Sequence, residues 1–515
     1  MAKPLIVAAI DVGSHDVIMK IAGLKSDEPP KIIDEVQRTI PMGADTYSTG
    51  KISQNLLNQT IEVLKTFNKK MEEYKVNTVQ AAATSAFREA ANQLFVVEQI
   101  RRLTGIEVEV LSSGMDSYYH QIALSETIPD FTEMIQTNVL IVNIGSGSIQ
   151  LTLFNDGKYI NTQNFRLGPL RIRELLGDLE RHSTDFGGLM TEYISGELNY
   201  YKTFGPKRAT YQNLIVLGGS SRYIKHVAGW TSKKQGQIKK EDFESFFEKL
   251  KSGNPNDLPR LSQVPTEQET LMLPTCIVID EVLQFTGIDQ LYISDVDLTT
   301  GMLYKMANEL QKYRFKRDPD INRIESAIYL ANRYRTDKKH SQHVSHLAVG
   351  LFDLTVKIHG LPKIARVYLE MAAILHNIGK YVSMENDGVR SYNIIQSNEL
   401  IGLNERELEI VALTACFHNG RVHPNDPMLQ KLTSDEKLMT LKLISILALA
   451  NSLDAGHQQK IEIIKTRVED DRLEIFISSD KDFTLELWNF NKHTGLFQAL
   501  FGLHPEIRLL KSKKI

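Results

Sequence analysis

The chain has 515 residues, which at roughly 150 residues per domain predicts three or four domains. Its 60 Lys and Arg against 63 Asp and Glu give a net charge of -3, which argues against a dedicated nucleic-acid binder. The two cysteines, Cys276 and Cys416, exclude a disulfide framework and a four-cysteine zinc site. The first apolar run, Leu5–Ile10, is too short for a signal-peptide core, and the sequence has no uninterrupted run of about 18 apolar residues. We therefore expect a cytoplasmic protein without membrane or nucleic-acid partners.

The N-terminal half alternates strand and helix patterns. Short apolar runs predict strands, and apolar residues three and four apart predict helices. The predicted strands are 5–10, 17–21, 76–83 and 106–111, and the predicted helices are 53–74 and 90–104. Long helical patterns begin near residue 315, and strand patterns return after about residue 460. The stretch 231–264 is rich in Lys, Glu and Pro and predicts an exposed helix and loop with a solvated charge run.

One strand–turn–strand pattern occurs twice. Asp11-Val-Gly-Ser14 and Asn143-Ile-Gly-Ser146 each lie between two strand patterns. A repeated hairpin predicts two similar α/β halves that face each other across a cleft. Glycine turns expose backbone N–H groups that suit phosphate oxygens, and Asp11 at the strand end is placed to hold Mg²⁺ or its water. One such turn alone is more often a plain β-turn, whereas two in matching context favour a phosphate site.

Four segments carry a family resemblance. The most specific is Ala82-Ala-Thr-Ser-Ala-Phe-Arg-Glu-Ala90 followed by Asn92. The others are Ile141–Ser148, Phe165–Arg171 and Leu214–Ser220, which contain a second and a third glycine turn. Together they resemble the exopolyphosphatase and guanosine pentaphosphate phosphohydrolase (Ppx/GppA) family, over essentially the whole chain.

The resemblance implies an α/β fold of duplicated actin-like (ribonuclease H-like) lobes, followed by an all-α HD-like domain and a small α+β C-terminal domain. We place these domains at 1–134, 135–312, 313–459 and 460–515. It also implies a homodimer, Mg²⁺ as cofactor, and inorganic polyphosphate or guanosine pentaphosphate or tetraphosphate as ligand.

The resemblance further implies a set of phosphate-binding residues in the three glycine turns and the Ala-Thr-Ser-Ala segment. They are Gly13, Ser14, Arg88, Gly145, Ser146, Gly147, Ser148, Gly218, Gly219 and Ser220, with Asp11 as the metal ligand. An arginine fork suits phosphate at position 88. On its own, Arg88 is more simply a surface ion pair with Glu89.

The departures from the family lie where catalysis needs acids. Asp116 and Ser117 stand for the two glutamates of the family's Ser-Gly-x-Glu-Glu-Ala motif. Asn143 and Gln150 stand for the Asp and Glu of its Asp-Ile-Gly-Gly-Gly-Ser-Thr-Glu hairpin. Amides keep size and hydrogen bonding but are poor bases and weak Mg²⁺ ligands. The catalytic candidates are therefore Asp116, Ser117, Asn143 and Gln150, with Asp116 the surviving acid–base group.

The helical part departs in the same direction. His340-Ser-Gln-His343 fits the first HD motif, but the His-Asp pair reads His376-Asn377 and the last aspartate reads Asn451. We expect no metal in this part of the chain.

Three functions remain open. A Mg²⁺-dependent phosphohydrolase is favoured by the family, and a polyphosphate or alarmone sensor with little turnover is favoured by the substitutions. A kinase ranks last, because nothing resembles a second substrate pocket. Lys338-Lys339 and Lys513-Lys514 are too generic to assign and are expected to be solvated.

Overall fold

A computed structural model describes residues 3–205, 211–230, 237–252 and 257–510. The chain divides into two compact units, Met1–Pro319 and Asp320–Ile515, which are treated one at a time. Lys513-Lys514 and parts of the stretch 231–264 lie outside the described residues. In the described part of the chain, no helix combines the length and apolarity that a membrane crossing requires.

The first sheet contains five strands within residues 3–205. They are β1 (Leu5–Val12), β2 (Asp16–Leu24), β3 (Lys31–Thr39), β4 (Thr78–Ala83) and β5 (Val108–Val110), in the order β3-β2-β1-β4-β5. The first three strands pair antiparallel, and β1–β4 and β4–β5 pair parallel. Its helices are α1 (Met42–Thr49), α2 (Gln54–Glu73), α3 (Ser85–Glu89), α4 (Gln93–Thr104), α5 (Ser113–Thr127) and α6 (Phe131–Met134).

The second sheet contains six strands among the described residues. They are β6 (Val139–Ile144), β7 (Ile149–Asn155), β8 (Lys158–Phe165), β9 (Asn213–Leu217), β10 (Gln237–Lys239) and β11 (Gln290–Ile293), in the order β10-β11-β9-β6-β7-β8. The helices that follow β6 along the chain are α7 (Pro169–Glu180), α8 (Phe186–Phe204), α9 (Gly219–Val227), α10 (Lys240–Ser252), α11 (Thr266–Thr286) and α12 (Leu298–Gln311), with a 3₁₀ turn at Leu261–Gln263. Of these, α12 packs against β1 and β2 of the first sheet and against α5.

The two sheets repeat one plan. In each, an antiparallel three-strand meander (β1–β3 or β6–β8) is extended by parallel strands (β4 and β5, or β9 and β11). The prediction of two similar α/β halves is confirmed. The predicted strand at 5–10 is an apolar run because residues 7–10 are fully buried. The prediction of a helix at 90–104 rests on apolar residues that include Leu94 and Ile100. In α4, Ile100 and Val96 are buried but Leu94 is 81% exposed, so the spacing predicts the helix and not its packed face.

Helices dominate the second unit, with a small sheet at its end. The helices are α13 (Asp320–Arg333), α14 (Lys338–Leu354), α15 (Val356–His359), α16 (Ile364–Leu375), α17 (Asp387–Gln396), α18 (Glu405–Cys416), α19 (Ser434–Ser452), α20 (Thr484–Asn491) and α21 (Thr494–Phe501), with 3₁₀ turns at Ile378–Tyr381 and Pro427–Lys431. The strands are β12 (Glu462–Glu469), β13 (Arg472–Ser478) and β14 (His504–Leu509), with β13 in the middle. Ile475 and Phe490 share one hydrophobic core with Leu369 and Leu447, so sheet and helices pack together.

Candidate functional site

All three glycine turns of the first unit open into one cavity of about 110 Å³. The turn residues that line it are Gly13, Ser14, Gly145, Ser146, Ser148, Gly218 and Gly219. Four of the other predicted site residues line it too, namely Asp11, Asp116, Asn143 and Gln150. Residues far apart in the sequence therefore surround one cavity, because the three turns follow β1, β6 and β9, and all three strands end beside it.

The first two turns have the same backbone geometry. Gly13 N donates to Asp16 O and Gly145 N donates to Ser148 O, each at 2.9 Å. The third turn has its own requirement for glycine. Gly218 has a φ of +128°, and a Cβ there would lie 2.1 Å from Ile144 O. Helix α9 begins directly after it, so the unpaired N–H groups of a helix N-terminus lie beside the cavity.

Two buried carboxylates lie in the cavity, Asp11 on β1 and Asp116 on α5. Asp11 Oδ1 has no hydrogen-bond partner among the described residues. Burial, and then the neighbouring charges of Asp116 and Asp297, raise the pKa of Asp11 to about 8. A bonded partner of positive charge is what Asp11 Oδ1 lacks.

His120 is a cavity residue that the sequence analysis missed. It lies one helical turn after Asp116 on α5, and its Nδ1 is 3.0 Å from both Asp116 Oδ1 and the Asp116 carbonyl oxygen. Burial lowers the pKa of His120, but hydrogen bonding and attraction to Asp116 outweigh it, and the pKa is raised. The i, i+4 spacing of Asp116 and His120 was the available signal.

The three positions that replace acids form hydrogen bonds around this pair. Ser117 Oγ donates to Gln150 Oε1 at 2.8 Å, and Gln150 Nε2 donates to Asp116 Oδ2 at 3.4 Å. Asn143 Nδ2 lies 3.4 Å from His120 Nδ1. Asn143 and Gln150 are also cross-strand partners of β6 and β7. These uncharged side chains therefore orient Asp116 and His120 rather than add charge.

A cluster of charges, also missed, forms another wall. Lys20 Nζ donates to Asp297 Oδ2 at 2.8 Å, and Arg222 Nη1 lies 3.8 Å from the same oxygen. Burial raises the pKa of Asp297, but the Lys20 ammonium outweighs it and lowers the pKa to about 2. Of the described residues that line the cavity, Arg222 supplies the one guanidinium. Nothing local in the sequence connects residues 20, 222 and 297.

Models of known families match most of the chain. The Ppx/GppA phosphatase family model matches residues 17–310, and the model of domain III of Ppx/GppA phosphatases matches residues 322–497. The chain belongs to the Ppx/GppA phosphatase family. The resemblance read from the hairpins is thereby confirmed, as is the succession of duplicated actin-like lobes, helical domain III and small sheet.

Individual relatives are distant. An Aeromonas hydrophila protein named guanosine-5'-triphosphate,3'-diphosphate pyrophosphatase is 20% identical over 86% of both chains. A Fusobacterium nucleatum bifunctional 3-dehydroquinate synthase/phosphatase is 22% identical over 58% of this chain, and the match spans 46% of that longer protein. A solved exopolyphosphatase from Cytophaga hutchinsonii has a TM-score of 0.51 at 18% identity, over 59% of this chain and 98% of that one, and this likeness shows the fold alone.

Four of the predicted site residues are absent from the cavity lining, namely Arg88, Ser117, Gly147 and Ser220. Ser117 is held by Gln150, and Ser220 is buried in the first turn of α9. Arg88 Nη1 donates to the Leu111 carbonyl at 2.7 Å, which ties α3 to the segment before α5. Its predicted ion-pair partner Glu89 contacts Arg171 instead.

Gly147 and Ser14 have structural contacts that limit their part in binding. Gly147 O accepts from Arg171 Nε at 2.7 Å, and a Cβ on Gly147 would overlap Tyr47. Ser14 Oγ lies 2.8 Å from Ser85 Oγ and accepts from Tyr47 OH and from Ala86 N. The Ser14 hydroxyl is therefore saturated by protein groups, and its backbone is the part that borders the cavity.

The cavity has the chemistry of a site that shares a cation with its substrate. No cluster of three or more His, Cys, Asp or Glu side chains in the described ranges is arranged to hold a metal by itself. Mg²⁺, however, commonly uses one or two carboxylates plus substrate phosphates. The unsatisfied Asp11 Oδ1 fits that pattern.

Proposed function

We propose that this Ppx/GppA protein is a phosphohydrolase that releases the terminal phosphate of inorganic polyphosphate or of guanosine pentaphosphate. The observation that carries the proposal is the convergence of three glycine turns on a cavity that retains two carboxylates, Asp11 with an unpaired oxygen and Asp116 beside His120. The turns suit phosphate, and the carboxylates suit a cation and a proton.

The backbone and one cation hold the phosphate in this proposal. N–H groups of the hairpin turns and of the α9 N-terminus donate to phosphate oxygens, and Arg222, also on α9, adds a guanidinium. Asp11, with its unpaired Oδ1, would hold Mg²⁺. When bound, the ion would supply charge neutralisation for the phosphoryl group.

Asp116 takes the proton of the attacking water. The water oxygen bonds to the terminal phosphorus, the bridging P–O bond breaks, and the shortened chain leaves with the bridging oxygen. Gln150 and His120 hold Asp116 in place from either side. Because Ser117, Asn143 and Gln150 carry no charge, turnover lacks a second base, whose loss typically costs ~10²–10⁴-fold.

A polyphosphate or alarmone-binding regulator is the second candidate. Its supporting observation is the closed hydrogen-bond network of Ser117, Gln150 and Asn143, which leaves the cavity less negative and better suited to a polyanion. For this candidate, the glycine turns bind the polyphosphate or alarmone, and hydrolysis is too slow to be the function.

One experiment separates the two candidates. Purified protein is incubated with long-chain polyphosphate and Mg²⁺, and released phosphate is measured beside filter binding. For the hydrolase we expect release that falls ~10²-fold or more in Asp116→Ala. Glu133→Ala, which removes an exposed carboxylate near the end of the same lobe, is the matched control and should not change release.

The outcomes divide cleanly. Release that is unaffected by Asp116→Ala contradicts the assigned chemistry. Tight binding without release in the wild type supports the regulator. Absence of both binding and release removes both candidates.

A further inference from the structure

The second unit contains a separate cavity of about 310 Å³, within the ~300–1,000 Å³ range of small-molecule sites. It lies at the beginning of α14 and at the ends of α16, α18 and α19, and it is bordered by α20. Residues from five segments line it, among them His340, Asn377, Lys380, His418 and Trp488. None of the proposed phosphohydrolase chemistry uses these residues.

Buried histidines at its inner side are fixed in one tautomer. His376 Nδ1 is 2.7 Å from Ala373 O, and His418 Nδ1 is 2.9 Å from Ala415 O. Because a carbonyl oxygen only accepts, both Nδ1 atoms carry the proton and both Nε2 atoms are acceptors. Burial lowers the pKa of both imidazoles, so both remain neutral. His376 Nε2 lies 3.3 Å from His340 Nε2 and therefore has a partner. His418 Nε2 is left as the acceptor at the cavity wall.

Asn377 adds a second acceptor that lacks a donor. The residue is 7% exposed, and its Oδ1 is buried with no hydrogen-bond partner in the described ranges. Leaving such a group unpaired costs about 1–3 kcal/mol. It stands where the HD pattern has an aspartate, and Asn451, also in the lining, stands for another. Amides in place of acids turn this site from cation binding to hydrogen-bond recognition.

The mouth of the cavity offers an aromatic ring and a positive charge. Trp488 is 58% exposed, and Lys492 Nζ covers one ring face at 3.1 Å from the centroid, which leaves the other face available. Lys380 is exposed at the same cavity. No Asp or Glu occurs among the described lining residues, and the carboxylates of Asp454 and Asp337 that lie behind the lining are paired with His340 and His457.

We propose that this cavity binds a nucleotide. Base N–H groups donate to Asn377 Oδ1 and His418 Nε2, the base stacks on the free face of Trp488, and the phosphate reaches Lys380. Inorganic phosphate supplies neither the ring nor the N–H donors that the inner wall requires. The inference stands apart from the phosphohydrolase proposal, because it uses other residues in the other unit.

Trp488 provides the probe. The chain has two tryptophans, and Trp230, 6% exposed, belongs to the first unit. In full-length Trp230→Phe protein, emission reports on Trp488. We titrate it separately with GMP, guanosine and inorganic phosphate. GMP should quench emission saturably, and Asn377→Leu, of similar volume without the acceptor, should weaken GMP about tenfold.

Charge is tested apart from base recognition. Lys380→Ala, at an exposed position that does not affect folding, should weaken GMP severalfold and leave guanosine unchanged. Lys357→Ala removes an equally exposed lysine of the same unit that lies outside the described lining, and it should match the parent for both probes.

Four outcomes overturn the inference. They are no saturable response to GMP, equal responses to GMP and inorganic phosphate, equal GMP affinity in the parent and both cavity variants, and a response that is lost in Asp116→Ala but kept in Asn377→Leu. The last would assign the nucleotide to the lobe cavity. A normal GMP response in protein that releases no phosphate from polyphosphate would sustain this site while the phosphohydrolase proposal fails.

Discussion

The two glycine hairpins share a backbone and differ in their side chains. Each closes with an N–H···O bond of 2.9 Å across its turn, and each borders the same cavity. In the first hairpin, Asp11 keeps a carboxylate with a free oxygen. In the second, Asn143 and Gln150 are neutral and hydrogen-bonded to their surroundings. The proposed phosphate binding therefore rests on a turn geometry that the two hairpins share, whereas the proposed acid chemistry rests on side chains that differ between them.

Restoring acids at the second hairpin and at the neighbouring Ser117 of α5 is the strongest way to sharpen this comparison. The triple variant Ser117→Glu, Asn143→Asp and Gln150→Glu should raise phosphate release from polyphosphate by up to ~10²-fold, because it returns a base and negative ligands for Mg²⁺. Release is followed at saturating Mg²⁺, with filter binding measured in parallel.

Ser117→Gln, which adds the bulk of glutamate without its charge, is the neutral control for this restoration and should not raise release above the parental rate. A triple variant that folds, binds polyphosphate and stays as slow as the parent would show that the missing acids are not what limits turnover.

The dependence of the cavity on backbone geometry is tested at the third glycine turn. Gly218→Ala should lower the free energy of unfolding by ~3 kcal/mol or more, since its φ of +128° is poorly accessible to alanine and the Cβ would meet Ile144 O. Urea denaturation measures the loss. Gly177→Ala, in α7 with nothing within 4 Å of its Cβ, should instead stabilise by about 0.5–1 kcal/mol. Similar effects for both would remove the special role of this turn.

The returning strands of the two hairpins also differ. Lys20 of β2 is buried against Asp297, whereas Thr152 of β7 pairs with Thr162. Because the pKa of Asp297 falls to about 2 from an ordinary 3.8, its ion pair contributes about 2 kcal/mol above pH 4, which is lost as the pH falls toward 2. Asp297→Asn keeps the cap of α12, so its stability deficit should shrink over that range.

Denaturant unfolding at several pH values between 5 and 3 checks this prediction. Asp295→Asn is the control, because that carboxylate is 61% exposed and its contact with Lys225 lies at the surface. A deficit in Asp297→Asn that stays constant with pH would contradict the assigned ion pair.

Much of the fold was readable from the sequence, because its signals are local. Glycine turns between apolar runs mark hairpins wherever they occur, and the second copy at Asn143 identified the duplication. Burial of whole helix faces was less predictable. Leu94 has the spacing of a core residue but is 81% exposed, since the neighbouring face with Val96 is the one that packs.

The site was only partly readable, for a different reason. Strand ends and turns pointed to Asp11 and to the glycines, and a family motif pointed to Asp116. Arg222 follows the third glycine turn by two residues but was not identified, and Asp297 and Lys20 are connected to it by the fold alone. The contact of Arg88 with the Leu111 carbonyl likewise depends on tertiary structure, and its predicted phosphate contact stays a prediction.

Arg171 connects the two lobes. The side chain is 6% exposed, its Nε is bonded to the carbonyl of Gly147 in the second hairpin, and its Nη2 lies 2.5 Å from Glu89 in the first lobe. Arg171 therefore links the two lobes. Because its side chain is buried, added salt should not weaken this link, and separating the lobes requires breaking its hydrogen bonds with Gly147 and Glu89.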